Sequence, residues 1–174
     1  LHPTAGAVLV EGAVTGPATK ASVSYLPERP YFSQNMKVTD CLAFFEDFYA
    51  DFDRALACDM LARLAVPMAS HMGSLSKGTK EKVQLVLVMA RHAALYLLDE
   101  PIGGVDPATR DYILDTIISS YRRDATILLS THLIADVERV LDDFVFLQYG
   151  TMVMHAPASF VRDQYGMSLD DYFR

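Results

Sequence analysis

The stretch LYLLDEPIGGVDP, Leu95 to Pro107, combines an apolar run long enough for a buried strand with two adjacent carboxylates, Asp99 and Glu100. It then breaks at Pro101 and at the pair Gly103-Gly104. Burying a charge is costly unless it is paired or holds a metal, so a strand that ends in Asp-Glu points to a site. Read locally, the alternative is a helix-capping or solvated acidic turn. The surrounding chain decides between them.

Outward from this stretch, helix and strand patterns alternate. Upstream, SKGTKEKVQLVLVMARHA predicts a helix that is apolar nearly all round in its second half and hence buried. Downstream, DPATRDYILDTIISSYRR predicts a helix with Asp106 as N-cap, Pro107 at its first position, and Arg122 and Arg123 in its last turn, where cations suit the dipole. ATILLS is a second buried strand and THLIADVERVL a further helix. DFVFLQ and TMVMHA flank Tyr149-Gly150 and predict a hairpin. Near-continuous apolar strands alternating with helices predict a parallel α/β sheet covered on both faces, with its ligand at the carboxyl ends of the strands. Asp99 and Glu100 stand at one such end; Ser130, Thr131 and His132 stand at the next.

Nearer the start, AVLVEG and ASVSYLPE show short β-type alternation closed by Gly12 and Pro27, and suit an antiparallel piece. From Thr39 the pattern turns helical. TDCLAFFEDFYADF and DRALACDMLARLAV space Leu42, Phe45 and Phe48, then Leu56, Met60 and Leu64, by three and four residues. Phe44, Phe45, Phe48 and Tyr49 are expected to be mostly core, with the loop residues Tyr31, Phe32 and Met36 left as contact candidates.

Composition narrows the function classes. The 174 residues are 51% hydrophobic and 21% charged, as in a globular domain. No apolar run approaches the roughly 18 residues that cross a bilayer, so a membrane role requires a partner. The net charge is −7, from 22 acidic and 15 basic side chains, with no basic block, which disfavours nucleic-acid binding. Cys41 and Cys58 lie far apart in helical stretches and are expected to be free buried thiols; with no signal-like segment, the cytoplasm is the default location.

Three local patterns carry chemistry. A carboxylate at a strand end with a second beside it can hold hydrated Mg²⁺ and orient a water toward a phosphate. In SLSKGTKEK, Ser76, Lys77 and Gly78 stand where a helix begins, an end that binds anions and is otherwise an ordinary Ser N-cap. In LLSTHLIADVE, His132 follows a buried strand, where an imidazole can donate to a phosphate oxygen. His2, His71, His92 and His155 have no such company and are read as structural.

In order and spacing, LSKGTKEK, LYLLDEP, GGVD and LLSTH resemble the signature motif, Walker B, D-loop and H-loop of an ABC-transporter nucleotide-binding domain. SYLPERPYFSQNMKVTDCLAFF resembles the family's Q-loop and helical subdomain, and GTMVMHAPASF its terminal hairpin and helix. The resemblance covers essentially the whole chain. It implies a P-loop NTPase-like α/β fold: a mostly parallel sheet with helices on both faces, a small antiparallel β piece and an α-helical subdomain.

The family's roles follow by position. Asp99 would hold Mg²⁺ through water, and Glu100 would polarise the attacking water as general base. His132 would contact the γ-phosphate of ATP. Ser76, Lys77 and Gly78 would bind the γ-phosphate of ATP held by the opposite subunit of a head-to-tail dimer, with Asp106 linking the two sites and Gly104 beside it. Glu28 takes the Q-loop place, where many members have Gln, and would sense Mg²⁺. Lys77 replaces the signature's first Gly and Thr79 its Gln, a form similar to drug- and ion-export members.

One motif is missing: no G-x-x-x-x-G-K-[ST] occurs, and EGAVTGPATKAS has no Gly-Lys pair. The opening LHPTAGAVLVEG resembles the segment the family places after its P-loop helix. The chain is therefore expected to be an incomplete ABC ATPase domain, without the first strand, P-loop and helix, unable by itself to bind ATP normally and exposing apolar surface. Within one domain over 1–174, residues 1–28 are expected to form the antiparallel piece and Q-loop strand and 29–80 the helical subdomain ending in the signature. Residues 81–155 would form the α/β core and hairpin, and 156–174 a C-terminal helical segment. The implied function is ATP hydrolysis powering export through a transmembrane permease, at the inner face of the membrane. The alternatives are a catalytically silent partner in an ABC dimer and a non-transport ABC ATPase.

Overall fold

A computed structural model describes residues 3–103, 105–120 and 124–174. The chain forms two compact units, Leu1–Ser130 and Thr131–Arg174.

The first unit opens with a ribbon, β1 (Leu9–Val10) antiparallel to β2 (Ala13–Val14). Glu11 and Gly12 make its two-residue turn, both in the left-handed region, with φ of 51° and 77°. A short helix, α1 (Pro17–Ala21), follows, and then β3 (Val23–Leu26). The segment ASVSYLPE does not join the antiparallel ribbon as its alternation suggested. It pairs in parallel with β4 (Leu95–Asp99), which pairs in parallel with β5 (Thr126–Ser130), in the order β3-β4-β5. The reason is burial: Ser24 and Leu26 point inward, and the Ser24 hydroxyl donates to the Val88 carbonyl at 2.9 Å.

Between β3 and β4 lie α2 (Val38–Phe48), α3 (Arg54–Arg63) and α4 (Lys77–Met89). On α2 the buried stripe is Val38, Cys41, Leu42 and Phe45, an i, i+3, i+4, i+7 pattern. That stripe leaves Phe44 40% and Phe48 69% exposed, correcting the expectation that most of these rings are core. Cys41 is buried, and burial pushes its thiol up to about 12; Cys58 is only half-buried because α3 turns Ala57, Met60 and Leu61 inward. In α4, Val83 through Met89 are all buried, as expected of a helix apolar nearly all round. Helix α5 (Pro107–Ser120) leads toward β5. Arg122 and Arg123, assigned to its last turn, lie outside the described residues.

The sheet's inward face carries Ser24, Leu26, Tyr96 and Leu98, all buried, with α4 packed on it at Ser24. On its opposite face Tyr25 and Leu128 are 52% and 60% exposed and Leu97 is half-buried.

The second unit contains α6 (Ile134–Val137), a 3₁₀ turn over Glu138–Val140, the antiparallel hairpin β6 (Asp143–Gln148) and β7 (Thr151–Pro157), α7 (Ser159–Tyr165) and α8 (Leu169–Phe173). The helix expected over THLIADVERVL is thus only one turn of α-helix tightened into 3₁₀. Tyr149 and Gly150, at φ of 49° and 78°, form the hairpin turn. Ile134, Phe144, Val161 and Leu169 make this unit's core. No described helix is long and apolar enough to cross a membrane.

Candidate functional site

The carboxyl end of the parallel sheet is built by β4 and β5 together. Asp99, the last residue of β4, is in register with Ser130, the last of β5, and the Ser130 hydroxyl donates to Asp99 Oδ1 at 2.6 Å. The Glu100 amide donates to the Ser130 carbonyl at 2.9 Å, carrying the ladder one residue past β4. Glu100 then turns into the left-handed region, φ 49°, which is costly for a residue with a Cβ. Its carbonyl accepts from the Gly103 amide at 3.0 Å, closing the turn that carries the second carboxylate away from the strand. Gly103 fits closely: a Cβ there would stand 3.3 Å from the Glu100 carbonyl oxygen. The Asp-Glu pair thus straddles the end of β4, one acid in the ladder and one in a strained turn.

Glu28 follows β3, whose Leu26 is paired with Leu98, so it belongs to the same end of the sheet; it is exposed. Asp106 caps α5: Oδ1 accepts from the Thr109 amide at 3.1 Å and Oδ2 from the Thr109 hydroxyl at 2.6 Å. The Thr109 hydroxyl bond, then that from the Thr109 amide, holds its carboxyl below the usual range. Gly104 lies outside the described residues.

At the start of α4, Ser76 is the N-cap, accepting from the Thr79 amide at 3.2 Å and sharing a 2.8 Å hydroxyl bond with Thr79 Oγ1. Thr79, which takes the place of the family's Gln, thus meets the Ser76 hydroxyl with both its amide and its own hydroxyl. The Lys77 side chain is 74% exposed and its ammonium is 3.7 Å from Glu81 Oε1. A Cβ on Gly78 would meet only Val105 Cγ1 at 4.0 Å, an ordinary contact, so the chain's own packing does not force glycine there.

His132 is exposed and belongs to the second unit, two residues past Ser130. The neighbouring Thr131 hydroxyl accepts from the Leu133 amide at 3.0 Å. Within the first unit, then, Asp99, Glu100 and Glu28 share one sheet end, while Ser76 to Gly78 and Asp106 each sit at a helix start. No group of three or more His, Cys, Asp or Glu side chains is gathered as a metal cage among the described residues. The donor chemistry of Asp99 and Ser130 nevertheless suits Mg²⁺, which takes one or two carboxylates and keeps water for its other ligands.

Sequence reasoning missed Ser130 as the partner of Asp99, Gln84 on α4 and Arg91 just after it. Gln84 is 1% exposed and its Oε1 accepts from the Tyr31 amide at 3.0 Å. Arg91, 3% exposed, meets Asp51 through Nε at 2.9 Å and Nη2 at 3.1 Å. It also donates to the carbonyls of Val23 at 2.7 Å and of Ala21, and lies 3.8 Å from the centre of the Tyr49 ring. For Gln84 the signal was available: it is a lone polar residue in the run VQLVLVMA. A cleft of about 390 Å³ opens beside them, lined by Lys20, Tyr25, Tyr31, Phe44, Tyr49 and Arg91 among others. None of the residues assigned above to the sheet end or the helix starts lines it.

The ABC transporter family profile matches residues 1–103. Over 150 residues the chain is 28% identical to the ABC transporter ATP-binding protein YtrB of Bacillus subtilis (strain 168), covering 86% of this chain and 51% of that protein. It is 34% identical over 119 residues to the thiamine import ATP-binding protein ThiQ of Chelativorans sp. (strain BNC1), covering 66% and 48%. It is 25% identical over 180 residues to the Nod factor export ATP-binding protein I of Rhizobium sp. (strain N33), covering 98% and 59%. A solved structure of an ATP-binding subunit of an ABC transporter superposes with a TM-score of 0.86 at 31% identity, over 99% of this chain and 77% of that one. The chain thus spans about half the length of the curated relatives it matches.

Proposed function

The chain belongs to the ABC transporter family, and from that premise we propose that the whole protein is the ATP-hydrolysing subunit of a transporter, driving export through a transmembrane partner. The observation that carries this reading is the sheet end: Asp99 held by Ser130, and Glu100 set beyond it in a left-handed turn. Asp99 would hold Mg²⁺, which when bound neutralises charge on the transferring phosphoryl group. Glu100 would take a proton from the attacking water as its oxygen bonds the γ-phosphorus, and ADP would leave. Glu28 would complete the metal's surroundings and His132 would donate to the γ-phosphate.

In a head-to-tail dimer Ser76, Lys77 and Gly78 would face the ATP of the opposite subunit. Support comes from the cap hydroxyl, the exposed Lys77 ammonium and the open space over Gly78. Asp106, kept ionised by Thr109, would link the two sites. The lysine of a G-x-x-x-x-G-K-[ST] loop is not among residues 1–174, so nucleotide binding is proposed for the whole protein and not for this stretch alone. The export direction rests on the LSKG form and on the relative named for Nod factor export; the relative named for thiamine import is its counterweight.

The transmembrane partner would dock on the exposed aromatic surface at α2 and the preceding loop. Phe44 and Phe48 pack at 4.4 Å and Tyr31 is 48% exposed, whereas Phe32 lies 6.0 Å from the buried Phe45 ring. Such a subunit would lie at the inner face of the membrane through that partner.

The deciding experiment is Glu100→Gln in the whole protein. Turnover of Mg-ATP should fall at least about a hundredfold while Mg-ATP is still bound. Unchanged turnover would remove Glu100 as the base and favour a catalytically silent partner in an ABC dimer.

A further inference from the structure

Helix α4 and the segment just after it supply three polar contacts: the Gln84 side chain, the Val88 carbonyl and, beyond the helix end, the Arg91 guanidinium. Val88 and Arg91 hold β3. Gln84 instead holds the loop after β3: its buried Oε1 accepts from the Tyr31 amide at 3.0 Å. The far end of the same loop is bonded to the segment just before Ser76. The Gly73 amide donates to the Gln34 carbonyl at 2.8 Å and the Met72 amide to the Met36 carbonyl at 2.7 Å. Gly73 allows this approach, since a Cβ there would stand 3.0 Å from Gln34 O and 3.1 Å from Gln34 Cβ. The loop 31–36 is thus pinned at its start to α4 and at its end to the 3₁₀ turn over Met72–Ser74 that leads into Ser76.

A buried amide side chain in a run of Val, Leu and Met is costly unless its hydrogen bond is made. Replacing it by an apolar residue would keep the packing and strand the Tyr31 amide. We propose that Gln84 is a positioning residue that locks loop 31–36 to α4, so that loop displacement reaches the helix start at Ser76. The kinetic consequence rests on the function proposed above; the lock does not.

The experiment compares Gln84→Met, similar in shape but without the acceptor, and Gly73→Ala, which pushes the loop away from its other end. Both are made in the whole protein. Hydrogen exchange at amides 31–36 should quicken about tenfold in each, with amides 83–89 unchanged. In the assembly with its membrane partner, both should lower partner-stimulated kcat about tenfold and leave KM for Mg-ATP unaltered. Unchanged exchange at 31–36 in Gln84→Met would overturn the lock, as would equal quickening over 83–89, which would make Gln84 mere core. Unaltered stimulated kcat with the loop released would overturn its coupling role. Absence of Mg-ATP turnover in the unaltered protein would remove the functional reading, with the exchange result still deciding the lock.

Discussion

Ser130 and Asp99 face each other as register partners at the ends of two parallel strands, and the serine hydroxyl donates to the aspartate at 2.6 Å. The bond fixes one Asp99 oxygen, and with it the direction from which a cation can be met. Ser130→Ala should therefore act on metal use more than on folding. In the whole protein the Mg²⁺ concentration giving half-maximal ATPase should rise about tenfold, in line with losses at groups that orient metal ligands. Ser130→Thr should stay near the original value. Because the pair is exposed, unfolding free energy should change by less than about 1 kcal/mol. A magnesium titration of both variants checks this.

Glu100 stores strain that a glycine would release. At φ 49° a side chain costs about 1–2 kcal/mol that glycine does not pay. Glu100→Gly should therefore be more stable than Glu100→Ala by about 1 kcal/mol in urea unfolding, although both lose the carboxylate and, in the proposed function, turnover. Equal stabilities would mean that the turn relaxes without cost.

Strand and helix identities were legible wherever one residue pattern served one environment. LYLLD and the apolar half of α4 supply buried residues by their own composition, and Ser76 and Asp106 announce their caps, whereas TILLS, expected as a buried strand, has no buried residue and leaves Leu128 60% exposed. What was illegible depends on neighbours distant in sequence. Whether ASVSYL pairs antiparallel nearby or parallel with β4 is set by Val88, which accepts from Ser24 across 64 positions. Which of four adjacent aromatic residues face inward is set by the helix phase that Val38 and Cys41 fix, leaving Phe48 outside. For the site, the acids were readable from their place at a strand end, whereas the hydroxyl that holds Asp99 was not.

Arg91 joins three segments, and its loss should be felt as loss of fold. Its guanidinium satisfies Asp51 and the carbonyls of Val23 and Ala21, with Tyr49 over its face. Arg91→Ala removes the donor from these part-buried bonds and empties the buried guanidinium site, and should cost about 3–5 kcal/mol in urea unfolding. Asp51→Asn should cost less, because the two carbonyls keep their donor. In a double-mutant cycle the Arg91→Met, Asp51→Ala pair should destabilise by less than the sum of the single changes.

Glu81 is the one described residue with a buried side-chain oxygen, Oε2, that lacks a hydrogen-bond partner. Desolvation raises its carboxyl above the ordinary value, and Lys77 only partly opposes this. A carboxyl raised in the folded state binds its proton more tightly there than in the unfolded chain. Its favourable contribution is therefore complete below the unfolded value, near pH 4, and is lost as pH rises through the folded value. Above that folded value the folded protein carries a carboxylate that Lys77 compensates only in part. Glu81→Gln should thus raise the urea midpoint at pH 7, by about 1 kcal/mol in free energy, and give little change at pH 4. A gain of equal size at both pH values would show that shape, not charge, is responsible.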